Sequence, residues 1–222
     1  MNIDDDYVCL VLGETGVGKS SFINGITNSN NCKVGDEGKA CTIKFKVSRA
    51  TIGHSQFSFI DTPGLNDAKG DEKSINEIKK GISYYPNFRC ILILLKFQDT
   101  RLSKTSVNNL RIFMDCFPTK KFWEHVFIVR THAEKGGRSF KQTKKKLEGE
   151  IVKSINNYDD FKDFKNFMIK KHIELPLKID EFYVDNVKDA PDNFEYNEEE
   201  FNKIFDKIKS TKPMLKNIKK FR

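Results

Sequence analysis

The segment GETGVGKS at residues 13–20 constrains this chain more than any other feature. It matches the pattern G-x-x-x-x-G-K-[S/T], in which glycines let successive backbone N–H groups turn inward onto phosphate oxygens. An apolar run at residues 7–12 precedes it and a helix-compatible stretch at 20–26 follows it. The strand and the helix that the motif requires are therefore both in place, and the helix dipole adds a positive field at the turn. We predict an α/β fold of the P-loop NTPase type.

Individual residues of this loop have separate tasks. The Lys19 ammonium is expected to reach between the β- and γ-phosphates, and the Ser20 hydroxyl is expected to ligate Mg²⁺. We expect the nucleotide to be held by the whole segment and the serine behind it: Gly13, Glu14, Thr15, Gly16, Val17, Gly18, Lys19, Ser20 and Ser21.

The length of the chain indicates one domain, and the distribution of charge indicates a basic segment after it. A chain of 222 residues fits a single α/β domain, which we place at 1–210. The net charge is +8, and much of the positive charge lies in a cluster at 135–146 and in the tail at 211–222. We interpret the cluster as a solvated helix face and the tail as a candidate for an anionic membrane surface.

Several classes of site and location are disfavoured by the composition. The five cysteines form no C-x-x-C pair and histidine is scarce, which argues against zinc and suits a reducing compartment. No signal-peptide core and no apolar run long enough for a membrane helix are present. We therefore expect a cytoplasmic protein, able to bind membranes peripherally. Because no aromatic and basic recognition motif occurs, we expect no nucleic-acid partner.

The hydrophobic pattern alternates strands and helices, which predicts a mostly parallel central sheet with helices on both faces. A hairpin with its turn at Gly53 and His54 is also predicted. The predicted strands are 7–12, 42–50, 56–60, 89–97, 124–130 and 179–184. The predicted helices are 19–27, 71–82, 103–117, 139–158, 160–171 and 198–208, with a break near 156–157 allowed in the fourth.

Two further elements follow the phosphate loop in the order typical of nucleotide switches. In DTPG at 61–64, Asp61 can hold Mg²⁺ through water and the Gly64 N–H can bond the γ-phosphate. Thr42 follows a glycine-containing loop and can place its hydroxyl on Mg²⁺ and its N–H on the γ-phosphate, so we expect this loop to be ordered by the triphosphate. The predicted magnesium ligands are thus Ser20, Thr42 and Asp61, and the predicted catalytic contacts are Lys19, Thr42 and Gly64.

The segment THAE at 131–134 follows a predicted strand and occupies the place of a base-reading loop. A carboxylate there accepts two hydrogen bonds from guanine that adenine cannot offer, and Glu134 is the candidate. Thr131 stands at the start of the loop, and the ring of His132 can pack on the base. The loop after the last strand, with Asp185 and Asn186, is expected to close the base pocket. A P-loop ATPase or a small-molecule kinase remains the alternative at this point.

These motifs together resemble the AIG-type GTPases, the family of the immunity-associated GTPases of animals, which is related to chloroplast import receptor GTPases and to septins. The resemblance rests on GETGVGKSSFINGI, DTPGLND, RLSKTSVNNLRIFMDCF at 101–117 and THAE, and it spans about residues 5–190. It implies binding of GTP and GDP with Mg²⁺, slow intrinsic hydrolysis and GTP-dependent homodimerisation through the nucleotide face.

The residue after DTPG is Leu65, where a Ras-like switch has the glutamine that orients the attacking water. Leu65 has no polar side-chain atom, so we expect slow turnover unless a second subunit supplies a group, for which Arg101 or His132 is the candidate. Two functional classes remain open. One is a regulatory GTPase that cycles, and the other is a septin-like assembly module in which the nucleotide is structural.

Overall fold

The computed structural model describes residues 6–28, 46–61, 85, 87–117, 119–133, 137–185 and 192–214, with backbone alone for 137–138 and 192–196. The strands are β1 Asp6–Leu12, β2 Lys46–Ile52, β3 Ser55–Asp61, β4 Phe88–Lys96, β5 Val126–Thr131 and β6 Asp180–Tyr183. The α-helices in the described part are α1 Lys19–Ile26, α2 Lys104–Cys116, α3 Gly137–Leu147, α4 Glu150–Asn157, α5 Lys162–Lys170 and α6 Asp192–Ser210. Short 3₁₀ helices precede β5 and α5, at Phe122–His125 and Asp159–Phe161.

The strands form one sheet in the order β2-β3-β1-β4-β5-β6. All neighbouring pairs are parallel except β2 and β3, which form the predicted antiparallel hairpin. The predicted P-loop α/β fold with a mostly parallel sheet is therefore confirmed. The connection after β1 leads to β2 and β3 on one side of β1, whereas the connection after β4 leads to β5 on the other side. These two connections therefore diverge at the carboxyl ends of β1 and β4 and leave a crevice between them. In open α/β sheets, ligands bind at such a point.

Each face of the sheet is covered by helices, which is why the central strands are apolar throughout. On one face, alternate residues of β1 and β4 such as Leu10 and Ile93 pack against α2, α4 and α5. On the other face, Val11 and Leu92 pack against α1 and α6, where Phe22 is fully buried. The two layers together fix the position of the turn between β1 and α1.

Two of the predicted helices differ most from the structure. The helix predicted over 139–158 is divided into α3 and α4, because Gly149 between them takes a left-handed conformation with φ 75°. The last helix is longer than predicted, Asp192–Ser210 instead of 198–208. The first part of the strand predicted at 42–50 and the helix predicted at 71–82 lie outside the described residues.

The chain continues past α6 along the amino-terminal end of the sheet. Arg89 Nη1 donates to the Thr211 carbonyl at 2.6 Å, and the Met214 N–H donates to the Phe88 carbonyl at 2.8 Å. Both contacts lie at the start of β4, at the edge of the sheet opposite the turn between β1 and α1. In the part of the chain that the structure describes, no helix combines the length and the apolar character needed to cross a membrane.

Candidate nucleotide-binding site

The predicted phosphate loop joins β1 to α1, as the sequence pattern requires. Gly16 and Gly18 have φ 77° and 93°, which side chains rarely allow. Gly13 is required for a second reason: a Cβ there would lie 2.8 Å from Val17 Cγ1 and 2.9 Å from the Leu94 carbonyl oxygen. The loop can therefore lie tightly against β4 only with glycine at this position.

The Lys19 side chain folds back over this loop. Its ammonium donates to the carbonyl oxygens of Gly13 at 2.7 Å and Glu14 at 2.9 Å. Burial lowers the pKa of Lys19 below its usual value, while the nearby carboxylates of Asp61 and Glu14 act in the opposite direction. The result is a partly buried cation at the positive end of α1, which favours anionic ligands.

Replacing Gly13 by alanine is expected to destabilise the protein by about 1–3 kcal/mol, because the added methyl group overlaps a backbone carbonyl that cannot move away cheaply. Denaturant unfolding would measure the change. Gly16→Ala is the matched comparison, since its Cβ would meet nothing within 4 Å and only the positive φ is strained. A loss well below about 1 kcal/mol in Gly13→Ala would contradict the close contact with β4.

Asp61 and Ser20 are the described candidates for magnesium. Asp61 is the last residue of β3, is 7% exposed, and stands beside Val11 in the register with β1. Its influence on the pKa of Lys19 is consistent with a position near the loop. Among the described residues, no cluster of three or more His, Cys, Asp or Glu could hold a metal without further ligands. Mg²⁺ commonly takes only one or two protein oxygens and completes its shell with water and phosphate oxygens.

Thr131 connects the phosphate loop to the next strands. Its side chain is fully buried, and the hydroxyl lies 2.7 Å from the Val17 carbonyl and 3.1 Å from the Leu95 carbonyl. The Thr131 carbonyl in turn accepts from the Phe97 N–H at 2.9 Å. The structure therefore brings Thr131 against the underside of the phosphate loop.

The ends of β5 and β6 are held together beyond the strands themselves. The Val184 N–H donates to the Arg130 carbonyl at 2.9 Å, and the Ala133 N–H donates to the Val184 carbonyl at 3.1 Å. His132, between them, is exposed and has φ 55°, an uncommon conformation for a residue with a side chain. The two loops predicted to surround a base therefore leave the same corner of the sheet. Asp185 is buried there.

Part of the predicted site falls outside the described residues. In the two predicted switch segments, these residues are Thr42, Gly64 and Leu65. Near the predicted base, they are Glu134 and Asn186. Their predicted roles stay predictions.

Sequence reasoning missed a buried ion pair beside the site. Arg130 is fully buried, and its Nε donates to Glu181 Oε2 at 2.6 Å. Its Nη1 donates to the carbonyls of Asp99 at 2.6 Å and Phe97 at 3.2 Å, so it fixes the loop after β4. The available signal was the arginine in an otherwise apolar strand, VFIVRT.

A cavity of about 1120 Å³ opens between the phosphate loop, the loop after β4 and α2. Arg101 lies on its wall together with Glu14 and Thr15. The Arg101 guanidinium donates to Asp160 at 3.0 Å, and both side chains are mostly exposed, at 61% and 72%. An exposed cation thus stands beside the loop that is suited to phosphate.

Comparison with known proteins identifies the relatives of this chain. Residues 8–118, half of the sequence, match the family described as 50S ribosome-binding GTPase. The probable GTP-binding protein EngB of Mycoplasma mycoides is 30% identical over 173 residues, which cover 74% of this chain and 81% of that protein. Translocase of chloroplast 125 of Physcomitrium patens is 31% identical over 60% of this chain, which corresponds to only 12% of that much longer protein.

The fold is also that of solved structures of Toc33 from Arabidopsis thaliana. A structure of Toc33 with Mg²⁺ and GMPPNP has a TM-score of 0.60 and 21% identity, covering 94% of this chain and 87% of that one. A further solved structure has a TM-score of 0.64 and 20% identity, with coverage of 94% of this chain and 85% of that one. Its description states that dimerisation is important for the GTPase activity of the chloroplast translocon components atToc33 and psToc159. With the family match and the similarity to EngB, these observations show that the chain belongs to the 50S ribosome-binding GTPase family and is a GTP-binding G domain of the P-loop type.

Proposed function

We propose that this chain is a GTPase of the AIG type that binds GTP and GDP with Mg²⁺, hydrolyses GTP slowly and dimerises through its nucleotide face. The observation that carries the proposal is the geometry of the phosphate loop, in which Lys19 stands over backbone groups at the amino end of α1. The segment RLSKTSVNNLRIFMDCF, which includes α2, supports the AIG type over a simple Ras-like switch.

Each end of the nucleotide has its own set of residues in this proposal. Lys19 and the loop N–H groups bind the β- and γ-phosphates, while Ser20, Thr42 and Asp61 supply oxygens for Mg²⁺, which neutralises phosphate charge when bound. The Gly64 N–H contacts the γ-phosphate. At the other end, Glu134 accepts hydrogen bonds from guanine, and His132 and Asn186 enclose the base.

Dimerisation is proposed because the hydrolytic machinery within one subunit lacks a polar group at Leu65. The exposed guanidinium of Arg101, on the wall of the cavity beside Glu14 and Thr15, is suited to reach a nucleotide bound by a second copy. The description of Toc33, in which dimerisation matters for GTPase activity, supports this arrangement by analogy.

We also propose that residues 1–210 form the GTPase domain and that the basic tail 211–222 contacts an anionic membrane surface. In support, Thr211 and Met214 contact the start of β4, at the edge of the sheet opposite the turn between β1 and α1. A surface bound there would leave the nucleotide face open to a second subunit.

The base specificity tests the proposal directly. Competition of GTP and ATP for the fluorescent nucleotide mant-GDP should show strong preference for GTP in the unmodified protein. Glu134→Ala should reduce this preference roughly tenfold, because a charged acceptor of the guanine hydrogen bonds is lost. Affinity for ATP should stay unchanged, which separates the effect from unfolding. Equal affinities for GTP and ATP in the unmodified protein would contradict the proposal.

A further inference from the structure

Two consecutive residues of β5 hold two different loops at the carboxyl end of the sheet. The Thr131 hydroxyl lies 2.7 Å from the Val17 carbonyl of the phosphate loop. The side chain of Arg130 leaves the opposite face of the strand, and its Nη1 donates to the carbonyls of Asp99 at 2.6 Å and Phe97 at 3.2 Å. Since the Phe97 N–H also donates to the Thr131 carbonyl at 2.9 Å, the loop after β4 is bound to β5 through both N–H and carbonyl groups.

The far end of the loop after β4 is fixed as well. Leu102 is buried, at 3% exposure, and Ser103 caps the amino end of α2 with its side chain. Only Thr100 and Arg101, both exposed, lie between the buried Leu102 and the anchored carbonyl of Asp99. The direction in which Arg101 leaves the backbone is therefore set by the anchors on either side of it.

Stability alone does not account for a charged pair at this place. Arg130 is fully buried with its Nε bonded to Glu181 Oε2 at 2.6 Å, and its Nη2 is buried without an acceptor in the part of the chain that the structure describes. Desolvation of such a pair offsets much of its attraction, and well-packed hydrophobic residues in its place are often as stable or more so. What the guanidinium adds is the hold on the carbonyls of Phe97 and Asp99.

We propose that Arg130 is a positioning residue for GTP hydrolysis across the dimer: by holding the Asp99 carbonyl it directs Arg101 toward the nucleotide of a second copy. The role rests on the proposed function, in which Arg101 acts on the nucleotide of its partner. Arg101 lines the same cavity as Glu14 and Thr15 of the phosphate loop, so a change in the direction of its loop displaces the guanidinium at that surface. Arg130 is buried and acts only through the backbone of Asp99.

The test uses the full chain with the double substitution Arg130→Met and Glu181→Leu, which removes both charges together and leaves neither unpaired. The ring of Phe97 still stacks on Phe140 at 5.3 Å, so the start of the loop keeps a contact. Phosphate release is followed over a wide range of protein concentration, which gives the rate in dilute solution, the concentration at half-saturation and the plateau rate per subunit. Affinity for mant-GDP is measured alongside.

The plateau rate of the double variant is expected to be about tenfold lower, because a misdirected guanidinium no longer meets the reacting group. The concentration at half-saturation, the rate in dilute solution and the affinity for mant-GDP should stay unchanged. A role in folding alone would not lower the plateau by itself. An unchanged plateau, or a loss of mant-GDP affinity as large as the loss of plateau rate, would overturn the proposal.

Tyr183→Phe is the matched control, since it removes a hydroxyl 3.4 Å from the same Glu181 carboxylate and leaves the bonds of Arg130 to the loop in place. It should keep the plateau, and a plateau as low as in the double variant would overturn the inference. Should the double variant fail to fold, Thr100→Gly decides. Glycine there frees the backbone between Asp99 and Arg101 without touching the buried pair, so the plateau should fall about threefold. An unchanged plateau in Thr100→Gly would then overturn the inference.

Two failures are distinguishable in this experiment. If turnover of the unmodified protein does not rise with protein concentration, the proposed hydrolysis across the dimer fails and the role of Arg130 falls with it. If turnover rises, and the rise is lost in Arg101→Ala but kept in full in the double variant, only the role of Arg130 is overturned.

Discussion

Replacing Lys19 by alanine is expected to weaken GTP binding by roughly 100-fold or more, since removal of one partner from a buried, hydrogen-bonded charge pair costs about 2–5 kcal/mol. The ammonium is already positioned over the loop by the carbonyls of Gly13 and Glu14, at 2.7 and 2.9 Å. Little ordering is then needed when a triphosphate binds. Titration calorimetry with GTP and Mg²⁺ would measure the loss.

Lys153→Ala is the control for the Lys19 variant. Lys153 is 61% exposed and pairs with Glu150 on α4, so its removal changes the net charge equally without touching the loop. The control should bind GTP as the unmodified protein does. A Lys19→Ala variant that keeps its GTP affinity while remaining folded would contradict the assignment of the phosphate loop.

The phosphate loop could be predicted from the sequence because its chemistry depends on consecutive residues. Gly16, Gly18 and Lys19 act within one turn, and their spacing alone fixes the conformation and the charge. The strands were predictable for a similar reason, since β4 is a continuous apolar run that only a sheet covered on both faces can bury. Local motifs and the hydrophobic pattern were thus sufficient for the fold class, and the order of the strands came from the structure.

The supports of the site could not be predicted in this way, because they join residues that are distant in sequence. The Thr131 hydroxyl approaches the carbonyl of Val17, and the Arg130 guanidinium holds the carbonyl of Asp99. Asn197 lies in a helix whose pattern indicated only an amphipathic element, yet it binds Asp185. Such contacts depend on which strands are neighbours, and a single sequence does not specify that order.

Replacing Arg101 by alanine is expected to remove the dependence of GTP turnover on protein concentration. In the unmodified protein, turnover per subunit should rise as dimers form, because the guanidinium of one copy can stabilise charge on the nucleotide of the other. An arginine supplied in this way is worth on the order of 10³-fold or more in well-studied GTPases, so a loss on the order of 100-fold is expected at the highest concentrations. Release of phosphate, followed over a wide range of protein concentration, measures both profiles.

The contacts of Arg101 allow its side chain to turn toward the nucleotide of a second copy. Its ion pair with Asp160 is exposed on both sides, and such pairs contribute only about 0–1 kcal/mol, so the side chain can leave Asp160 for a nucleotide at little cost. The loop itself stays in place, since Arg130 holds the Asp99 carbonyl at 2.6 Å. The Arg101 side chain can therefore change its partner while the backbone of the loop after β4 is held in place by Arg130.

Two variants separate Arg101 from other cations at the same surface. Lys104→Ala removes an exposed positive charge on the wall of the same cavity and should leave the concentration dependence intact. His132→Ala tests the other candidate. If GTP turnover loses its dependence on protein concentration in His132→Ala and keeps it in Arg101→Ala, then His132 is the group supplied by the second subunit. If turnover in the unmodified protein stays flat while GTP still drives self-association, a catalytic role in trans is contradicted. The nucleotide would then act as a structural component of an assembly, because association would occur without faster hydrolysis.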